Sequence, residues 1–215
     1  MDNAVSVGPF DLGGRLGEGG MGAVYRGTHR STDVPVAIKV IRREAGPDAR
    51  RRFHQEVQAH AGLQHPGVVY LFDYGEIDPE AADASEGRLR AGDPFVAMQL
   101  AGRGTVRDAL PVQDWETVCR LLVQILDALA YAHARGVIHR DLKPENFLVF
   151  GADGLSGVDW RVKLADFGIA HAFGHERDAD TARLEGADGT PLYMTPEQCG
   201  GRWRQYGPWT DLYAV

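Results

Sequence analysis

The amino-acid sequence predicts an α+β protein in two lobes, the first rich in strands and the second rich in helices. Residues 10–98 contain five segments enriched in β-branched and aromatic residues, broken by Gly, Asp and Pro. Residues 115–135 instead carry apolar residues at helical spacing. A chain of 215 residues is long enough for one large domain or two lobes. We therefore predict a first lobe over 1–98, a hinge over 99–104 and a second lobe over 105–215.

The first lobe is predicted to combine five strands with one helix. The helical segment is Pro47–Gln64, where a proline and Asp48 fit the first turn. Its apolar residues Phe53 and Val57 leave Glu56 near the inner face. The strand-like segments are Phe10–Leu16, Ala23–Thr28, Val34–Ile41, Val68–Tyr74 and Pro94–Met98.

The second lobe begins with a short helix over Thr105–Leu110, followed by a long one over Trp115–Arg135. The long helix has a broad apolar face, which indicates core rather than a ligand site, and Gly136 is its predicted C-cap. Two segments, 78–93 and 151–159, separate predicted strands, and the first is polar and lacks periodicity. We expect both to be solvated surface loops and 78–93 to be mobile, with binding to partners as the alternative.

Composition excludes several classes of protein. The net charge of −7 argues against nucleic acid as a partner. Cys119 and Cys199 lack metal-ligand spacing, so we expect free, buried thiols in a reducing compartment. No apolar run approaches the roughly 20 residues that span a bilayer, and residues 1–7 do not resemble a signal peptide. A cytoplasmic location and no membrane segment within this chain are predicted.

The segment His139–Asn146 (HRDLKPEN) carries the strongest chemical signal. The carboxylate of Asp141 can orient an attacking hydroxyl, and the ammonium of Lys143 can neutralise charge on a moving phosphoryl group. The amide oxygen of Asn146 and the carboxylate of Asp166, in Asp-Phe-Gly, can hold a hard divalent cation. This set indicates phosphoryl transfer to a hydroxyl.

A glycine-rich segment precedes these motifs. Gly17–Val24 (GEGGMGAV) lies between two strand-like runs, which argues against a dinucleotide-binding turn and for a flap over nucleotide phosphates. A plain hairpin turn is the alternative. The next strand holds Val36-Ala37-Ile38-Lys39. Its lysine could simply belong to a solvated face, but the glycine loop before it favours a phosphate-binding role.

In this order, the motifs resemble the signature of eukaryotic-type (Hanks-type) Ser/Thr protein kinases. Gly189–Gln198 (GTPLYMTPEQ) resembles the peptide-docking segment of the bacterial branch of that family. The resemblance implies a bilobal kinase-like fold, with an antiparallel five-stranded sheet and one helix in the N-lobe and a mainly helical C-lobe. The central C-lobe helix begins near Asp211 in this resemblance, so we expect a C-lobe incomplete at its C-terminus. Asp211 is expected to cap the backbone at His139 and Arg140.

The resemblance also implies a set of site residues. Lys39 would hold the phosphates with Glu56 as its ion-pair partner, and Thr190 would hydrogen-bond Asp141 and Lys143. The implied cofactors are ATP and Mg²⁺, with Mn²⁺ as an alternative, and the implied metal ligands are Asn146 and Asp166. The residues implied to contact the nucleotide are Leu16, Gly17, Glu18, Gly19, Gly20, Met21, Gly22, Val24, Ala37, Lys39, Met98, Gln99, Ala101, Leu148 and Asp166.

The implied activity is transfer of the ATP γ-phosphoryl group to Ser or Thr hydroxyls of protein substrates. Arg140 would pair with a phosphate on the activation segment, and we expect autophosphorylation at Thr181, the hydroxyl residue of 169–188, within a homodimer. Two alternatives remain: a nucleotide-binding module that acts by binding, and an inactive remnant. The resemblance pairs Glu197 with an arginine beyond Val215, so we expect that arginine partner to be absent from this chain.

Overall fold

The structure, a computed structural model, describes residues 5–19, 22–41, 47–109, 114–151, 159–168 and 191–215. The strands are β1 (Ser6–Val7), β2 (Phe10–Gly19), β3 (Gly22–His29), β4 (Pro35–Ile41), β5 (Leu71–Glu76), β6 (Pro94–Gln99), β7 (Phe147–Phe150) and β8 (Arg161–Leu164). The helices are α1 (Pro47–Ala61), α2 (Pro79–Ala84), α3 (Val106–Ala109), α4 (Trp115–His133), α5 (Pro196–Cys199) and α6 (Pro208–Tyr213). Single turns of 3-10 helix lie at Pro144–Asn146, Pro191–Tyr193 and Trp203–Gln205.

The chain divides into two compact units. The first contains residues 1–50 and 70–100, and the second contains 51–69 and 101–215. Their boundary at 100/101 falls inside the predicted hinge, and most of α1 groups with the second unit. The exact domain limits given above stay a prediction.

The first unit is built on an antiparallel sheet with strand order β1-β2-β3-β4-β6-β5. The predicted α+β class is confirmed. The sheet has six strands in place of the expected five, because Ser6–Val7 pairs with Phe10 and Asp11 as a two-residue edge strand. Such a short segment has no periodicity of its own to reveal it. The core of this unit includes Phe10, Tyr25, Val36, Ile38, Val40, Phe95 and Ala97.

The expectation that 78–93 is a mobile, solvated loop is wrong. The side chain of Asp78 caps α2 by accepting a hydrogen bond from the Ala81 N–H at 2.7 Å. Ala81 and Leu89 are buried in the core of the first unit. Ser85 is fully buried, and its hydroxyl accepts from the Leu89 N–H at 3.0 Å. The segment therefore begins with a capped helix of six residues, too short for the apolar periodicity that predicts longer helices, and continues in turns that bury Ser85 and Leu89.

The second unit packs α4 against the β7–β8 hairpin. Ile125, Leu129 and Ala132 are buried on one side of α4, which confirms this helix as core. The helix ends at His133, and Gly136 follows with φ +73°, the left-handed conformation expected of its cap. Of the segment 151–159, residues 152–158 lie outside the described residues.

One predicted strand begins three residues later than expected. Val68 and Val69 leave the first unit's sheet and instead bond to β8, where the Val69 N–H donates to the Leu164 carbonyl at 2.9 Å. The sheet strand β5 then starts at Leu71. Apolar side chains suit both places, so the sequence could not distinguish them. Within the described ranges, no helix is long and apolar enough to cross a membrane.

The two cysteines are free thiols, as expected, but the expectation that both are buried is wrong. Cys119 is half-buried on α4, and Cys199 is exposed at the end of α5.

Candidate active site

The glycine-rich segment forms the end of the β2–β3 hairpin. Gly17 lies opposite Val24, and Gly19 lies opposite Gly22, so the loop joins two antiparallel strands as predicted. A side chain at Gly22 (φ +143°) would meet the Val40 carbonyl oxygen at 1.9 Å, so glycine is required there. The predicted nucleotide contacts Leu16, Gly17, Glu18 and Gly19 are exposed, whereas Gly20 and Met21 lie outside the described residues.

Four predicted nucleotide-contacting residues share one face of the first unit's sheet. Val24 lies opposite Lys39, and Ala37 lies opposite Met98. Residues opposite each other, or two apart along a strand, point to the same side of a sheet. The alternate residues of β4, which are Val36, Ile38 and Val40, face the unit's core. Lys39 and three apolar side chains that the resemblance implies for nucleotide contact therefore lie on a common face of the sheet.

The remaining predicted contacts lie where strands end or pair. Gln99 is the last residue of β6, and Ala101 lies two residues later in irregular backbone. The carbonyl of Gln99 and the N–H of Ala101 are the backbone groups that can hydrogen-bond to the edge of a ligand. Leu148 lies on β7 opposite Lys163 in the second unit.

Asp141 is fixed by two neighbours on its own loop. The Lys143 ammonium lies 2.9 Å from Oδ2 and 3.2 Å from Oδ1 of Asp141. The Asn146 amide nitrogen donates to the Asp141 carbonyl oxygen at 2.6 Å and to Oδ2 at 3.1 Å. Three of the sequence-predicted catalytic residues thus form one hydrogen-bonded cluster. The cluster holds the carboxylate in a single orientation.

His139 joins this loop to the Asp166-Phe167-Gly168 segment. Its buried Nε2 is 2.7 Å from the Ala165 carbonyl, and its ring lies against Phe167 with centroids 4.5 Å apart. Burial lowers the pKa of His139, so the imidazole is neutral. The Nε2–H tautomer leaves Nδ1 to accept from the Asp141 N–H at 3.4 Å, a weak contact.

Arg140 has a left-handed backbone (φ +68°), which is rare for a residue with a side chain. Asp211, 1% exposed, holds this region: its carboxylate accepts from the His139 and Arg140 N–H groups at 2.8 Å each. The predicted capping role of Asp211 is confirmed. His133 adds a third contact, with Nε2 2.7 Å from Oδ2 of Asp211.

Glu56 pairs with Arg140 in the second unit. The Glu56 carboxylate and the Arg140 guanidinium are 2.8 Å apart, and both side chains are about three-quarters buried at 22% and 26% exposed. The resemblance implies Lys39 as a partner of Glu56, and that pairing stays a prediction. The pairing with Arg140 had no signal in the sequence, because 84 residues separate the two.

The oxygen donors near the loop fit a hard divalent cation. Asn146 is 5% exposed, and its amide nitrogen is committed to Asp141, so its oxygen is the end that can meet a metal. Asp166 adds a carboxylate from a backbone with φ +63°. Among the described residues no three His, Cys, Asp or Glu side chains cluster as metal ligands. Two protein ligands suit Mg²⁺, which keeps waters and binds substrate phosphates.

The docking segment makes its own contacts with the loop. Gln198 and Thr195 form a capping box at the start of α5, and Gln198 also reaches the Arg140 carbonyl. Glu197 accepts a hydrogen bond from the Thr210 hydroxyl at 2.9 Å, whereas the arginine partner that the resemblance implies stays a prediction. Hydrogen bonds from its own backbone N–H and from Thr210 lower the pKa of this carboxyl. Thr181 and Thr190 lie outside the described residues.

Comparison with known proteins identifies the class to which this fold and loop belong. The sequence profile of the protein kinase domain matches residues 10–215, so the chain belongs to the protein kinase domain family. The predicted resemblance to Hanks-type Ser/Thr kinases of the bacterial branch is confirmed. Members of the family use ATP and a divalent metal ion.

Particular relatives support the same assignment. The chain is 38% identical to the serine/threonine-protein kinase pkn3 of Myxococcus xanthus, over 93% of this chain and 35% of that protein. It is also 38% identical to the serine/threonine-protein kinase PknJ of Mycobacterium tuberculosis, over 93% of this chain and 31% of that protein. The crystal structure of the Mycobacterium tuberculosis PknI kinase domain superposes with a TM-score of 0.70 at 27% identity. That match covers all of this chain and 73% of the other. The chain therefore spans about a third of the length of these curated relatives.

Proposed function

We propose that the protein is an ATP-dependent Ser/Thr protein kinase that transfers the γ-phosphoryl group to hydroxyls of protein substrates. The observation that carries this proposal is the cluster of Asp141, Lys143 and Asn146, with contacts of 2.6–3.2 Å, on a loop that family membership associates with this chemistry.

Asp141 positions the attacking hydroxyl and accepts its proton late in the transfer. Its carboxylate is already oriented by Lys143 and Asn146, so little reorganisation is needed when substrate binds. Lys143, beside it, offsets negative charge as the phosphoryl group moves. Thr190 is proposed to hydrogen-bond both Asp141 and Lys143.

We propose that residues of both units bind the nucleotide. In the first unit the glycine hairpin and Lys39 hold the phosphates, while Ala37 and Met98 contact adenine and the backbone of Gln99 and Ala101 bonds its edge. In the second unit Leu148 contacts adenine, and Glu56 is proposed to pair with Lys39 in the active state. Asn146 and Asp166 hold Mg²⁺, or Mn²⁺ in its place. When bound, the metal neutralises charge on the phosphates.

Autophosphorylation at Thr181, within a homodimer, is proposed to regulate the site. A phosphate carrying about two negative charges would compete with Glu56 for Arg140. Mass spectrometry after incubation with Mg-ATP tests this point, since an active protein with unmodified Thr181 contradicts it. Because the reaction consumes ATP, we propose that it takes place in the cytoplasm.

The function is tested by measuring ³²P transfer from labelled ATP to a generic basic protein, followed by phosphoamino-acid analysis. We expect phosphoserine or phosphothreonine from the wild-type protein. We expect Asp141→Asn to lose at least about a hundredfold in rate while it still binds Mg-ATP in a thermal shift. Asp108→Asn, on helix α3, is the matched control and should retain full activity.

The alternative outcomes have distinct meanings. Nucleotide binding without transfer by the wild-type protein would favour a binding module. Neither binding nor transfer, together with a non-cooperative melt, would indicate an inactive remnant.

A further inference from the structure

We propose that Gln198 is a positioning residue for Asp141, and that it couples the docking segment to the catalytic loop. Gln198 lies on α5, 58 residues from Arg140, and its side-chain amide donates to the Arg140 carbonyl at 2.6 Å. The Arg140 carbonyl belongs to the peptide group that leads into Asp141. This inference rests on the proposed function.

Both ends of the Gln198 amide are used, and the partners fix which end is which. The oxygen accepts from the Thr195 N–H at 3.0 Å and from the Thr195 hydroxyl at 3.3 Å. A backbone N–H needs an acceptor and a carbonyl needs a donor, so the nitrogen must face Arg140. The amide therefore bridges the N-cap of α5 and the catalytic loop in one orientation.

Arg140 needs this support because of its backbone. A left-handed residue with a side chain is unfavourable because its Cβ approaches the following carbonyl oxygen, and it persists only when its surroundings fix it. Asp211 holds the N–H of Arg140 at 2.8 Å, and Gln198 holds its carbonyl. Together they restrain the peptide groups on both sides of the Arg140 Cα atom. Rotation of the second peptide group would move the Asp141 carboxylate away from the hydroxyl that it orients.

The other end of the bridge is equally well held. Thr195 is 1% exposed, and its hydroxyl accepts from the Gln198 N–H at 3.3 Å, which completes the capping box. A displacement of the segment 195–198 is therefore transmitted to the Arg140 carbonyl by one side chain. The position of the docking segment thus determines whether Asp141 is aligned.

Two substitutions separate the role of Gln198 in capping α5 from its hydrogen bond to the Arg140 carbonyl. Gln198→Glu keeps an acceptor for Thr195 but places a carboxylate oxygen against the Arg140 carbonyl, whereas Gln198→Leu removes both contacts. The matched control is Gln124→Glu on α4, where the side chain accepts from the Val162 N–H at 3.0 Å and remains able to do so. Transfer kinetics and hydrogen exchange of the peptide covering 139–143 are measured on the full chain.

We expect Gln198→Glu and Gln198→Leu to lower kcat alike, by roughly tenfold to a hundredfold, with the KM for ATP changed less than about twofold. In both variants, the rate of amide hydrogen exchange should rise in residues 139–143 and stay unchanged in α4. The control should match the wild type. If Gln198→Glu retains wild-type kcat and exchange, the side chain serves only the cap and the inference is overturned.

Two further outcomes are decisive. A rise in exchange throughout the second unit, α4 included, would mean a general stability role and would also overturn the inference. If the wild-type protein transfers no phosphate, the proposed function fails by itself. The exchange of 139–143 in Gln198→Glu then still decides whether Gln198 positions the loop.

Discussion

His60 is a buried titratable residue in the second unit, 1% exposed, with its ring 5.1 Å from that of Phe167. Its Nε2 lies 3.0 Å from the Val69 carbonyl, and its Nδ1 has no hydrogen-bond partner among the described residues. Burial lowers the pKa of His60 to about 4. Asp166, whose charge raises this pKa, and His139, which lowers it, face the same region.

This lowered pKa predicts a loss of stability in acid. The unfolded chain binds a proton to His60 near pH 6.5, and the folded chain does so only near pH 4, so the free energy of unfolding falls between these values. The loss is about 3 kcal/mol and does not grow below pH 4. We expect His60→Leu to flatten this part of the profile in urea denaturation, leaving the contribution of His139. Superimposable profiles of wild type and variant would contradict the assignment.

Gly168 offers a second prediction at the residue scale. Its φ is +64°, and an added Cβ would lie 2.3 Å from Oε2 of Glu56, a carboxylate whose Oε1 is paired with Arg140. Gly136 has a similar φ of +73° but open space around it. We expect Gly136→Ala to lower the free energy of unfolding by about 1–2 kcal/mol from backbone strain alone, and Gly168→Ala to lower it further.

The matched pair of glycines isolates the contact with Glu56. In a double-mutant cycle, Glu56→Ala should recover part of the loss caused by Gly168→Ala, because it removes the carboxylate that the new methyl group meets. Glu56→Ala should recover nothing in the Gly136→Ala background. Additive effects in both backgrounds would rule out the contact.

At the scale of elements, α2 shows how a short helix depends on its cap. Its six residues are too few to be stable from helix propensity, so the Asp78 cap and the burial of Ala81 hold it. We expect Asp78→Ala to lower the free energy of unfolding by about 1 kcal/mol. Asp83→Ala removes the same charge from an exposed position of the same helix and should change it by less than about half as much. If urea denaturation gives the same decrease in the free energy of unfolding for both variants, the charge and not the cap stabilises α2.

The elements also show which sequence signals were sufficient. The long helix α4 was predicted from its apolar spacing, and the β2–β3 hairpin from glycines between two strand-like runs. The helix α2 was missed, although Asp78-Pro79 followed by Glu80 is a helix-start signal. The capping box of Thr195 and Gln198 was likewise readable as a Thr-x-x-Gln pattern. The second bond of Gln198, to Arg140, had no local signal.

At the scale of the whole molecule, metal removal tests the proposed donors. Asn146 and Asp166 would hold Mg²⁺, so EDTA should abolish phosphate transfer and most of the thermal shift produced by ATP. Asp166→Asn should show the same loss in the presence of excess Mg²⁺. Asp159→Asn, an exposed carboxylate before β8, is the control and should respond to Mg-ATP like the wild type. Full stabilisation of Asp166→Asn by Mg-ATP would remove this residue from the metal site.

The sequence by itself determined the α+β class, the family and the residue types of the catalytic loop. Those features depend on short-range patterns: period-two and helical spacing, glycines at a hairpin, and Asp141, Lys143 and Asn146 within six residues. The contact of Asp211 with the Arg140 backbone was expected from the resemblance, but only the tertiary structure decided that Glu56 and Gln198 bind Arg140. Glu56 lies 84 residues and Gln198 lies 58 residues away from Arg140 along the chain. Folding brings these residues together by packing α1 and α5 around one loop, and no pattern of spacing in the chain encodes such contacts.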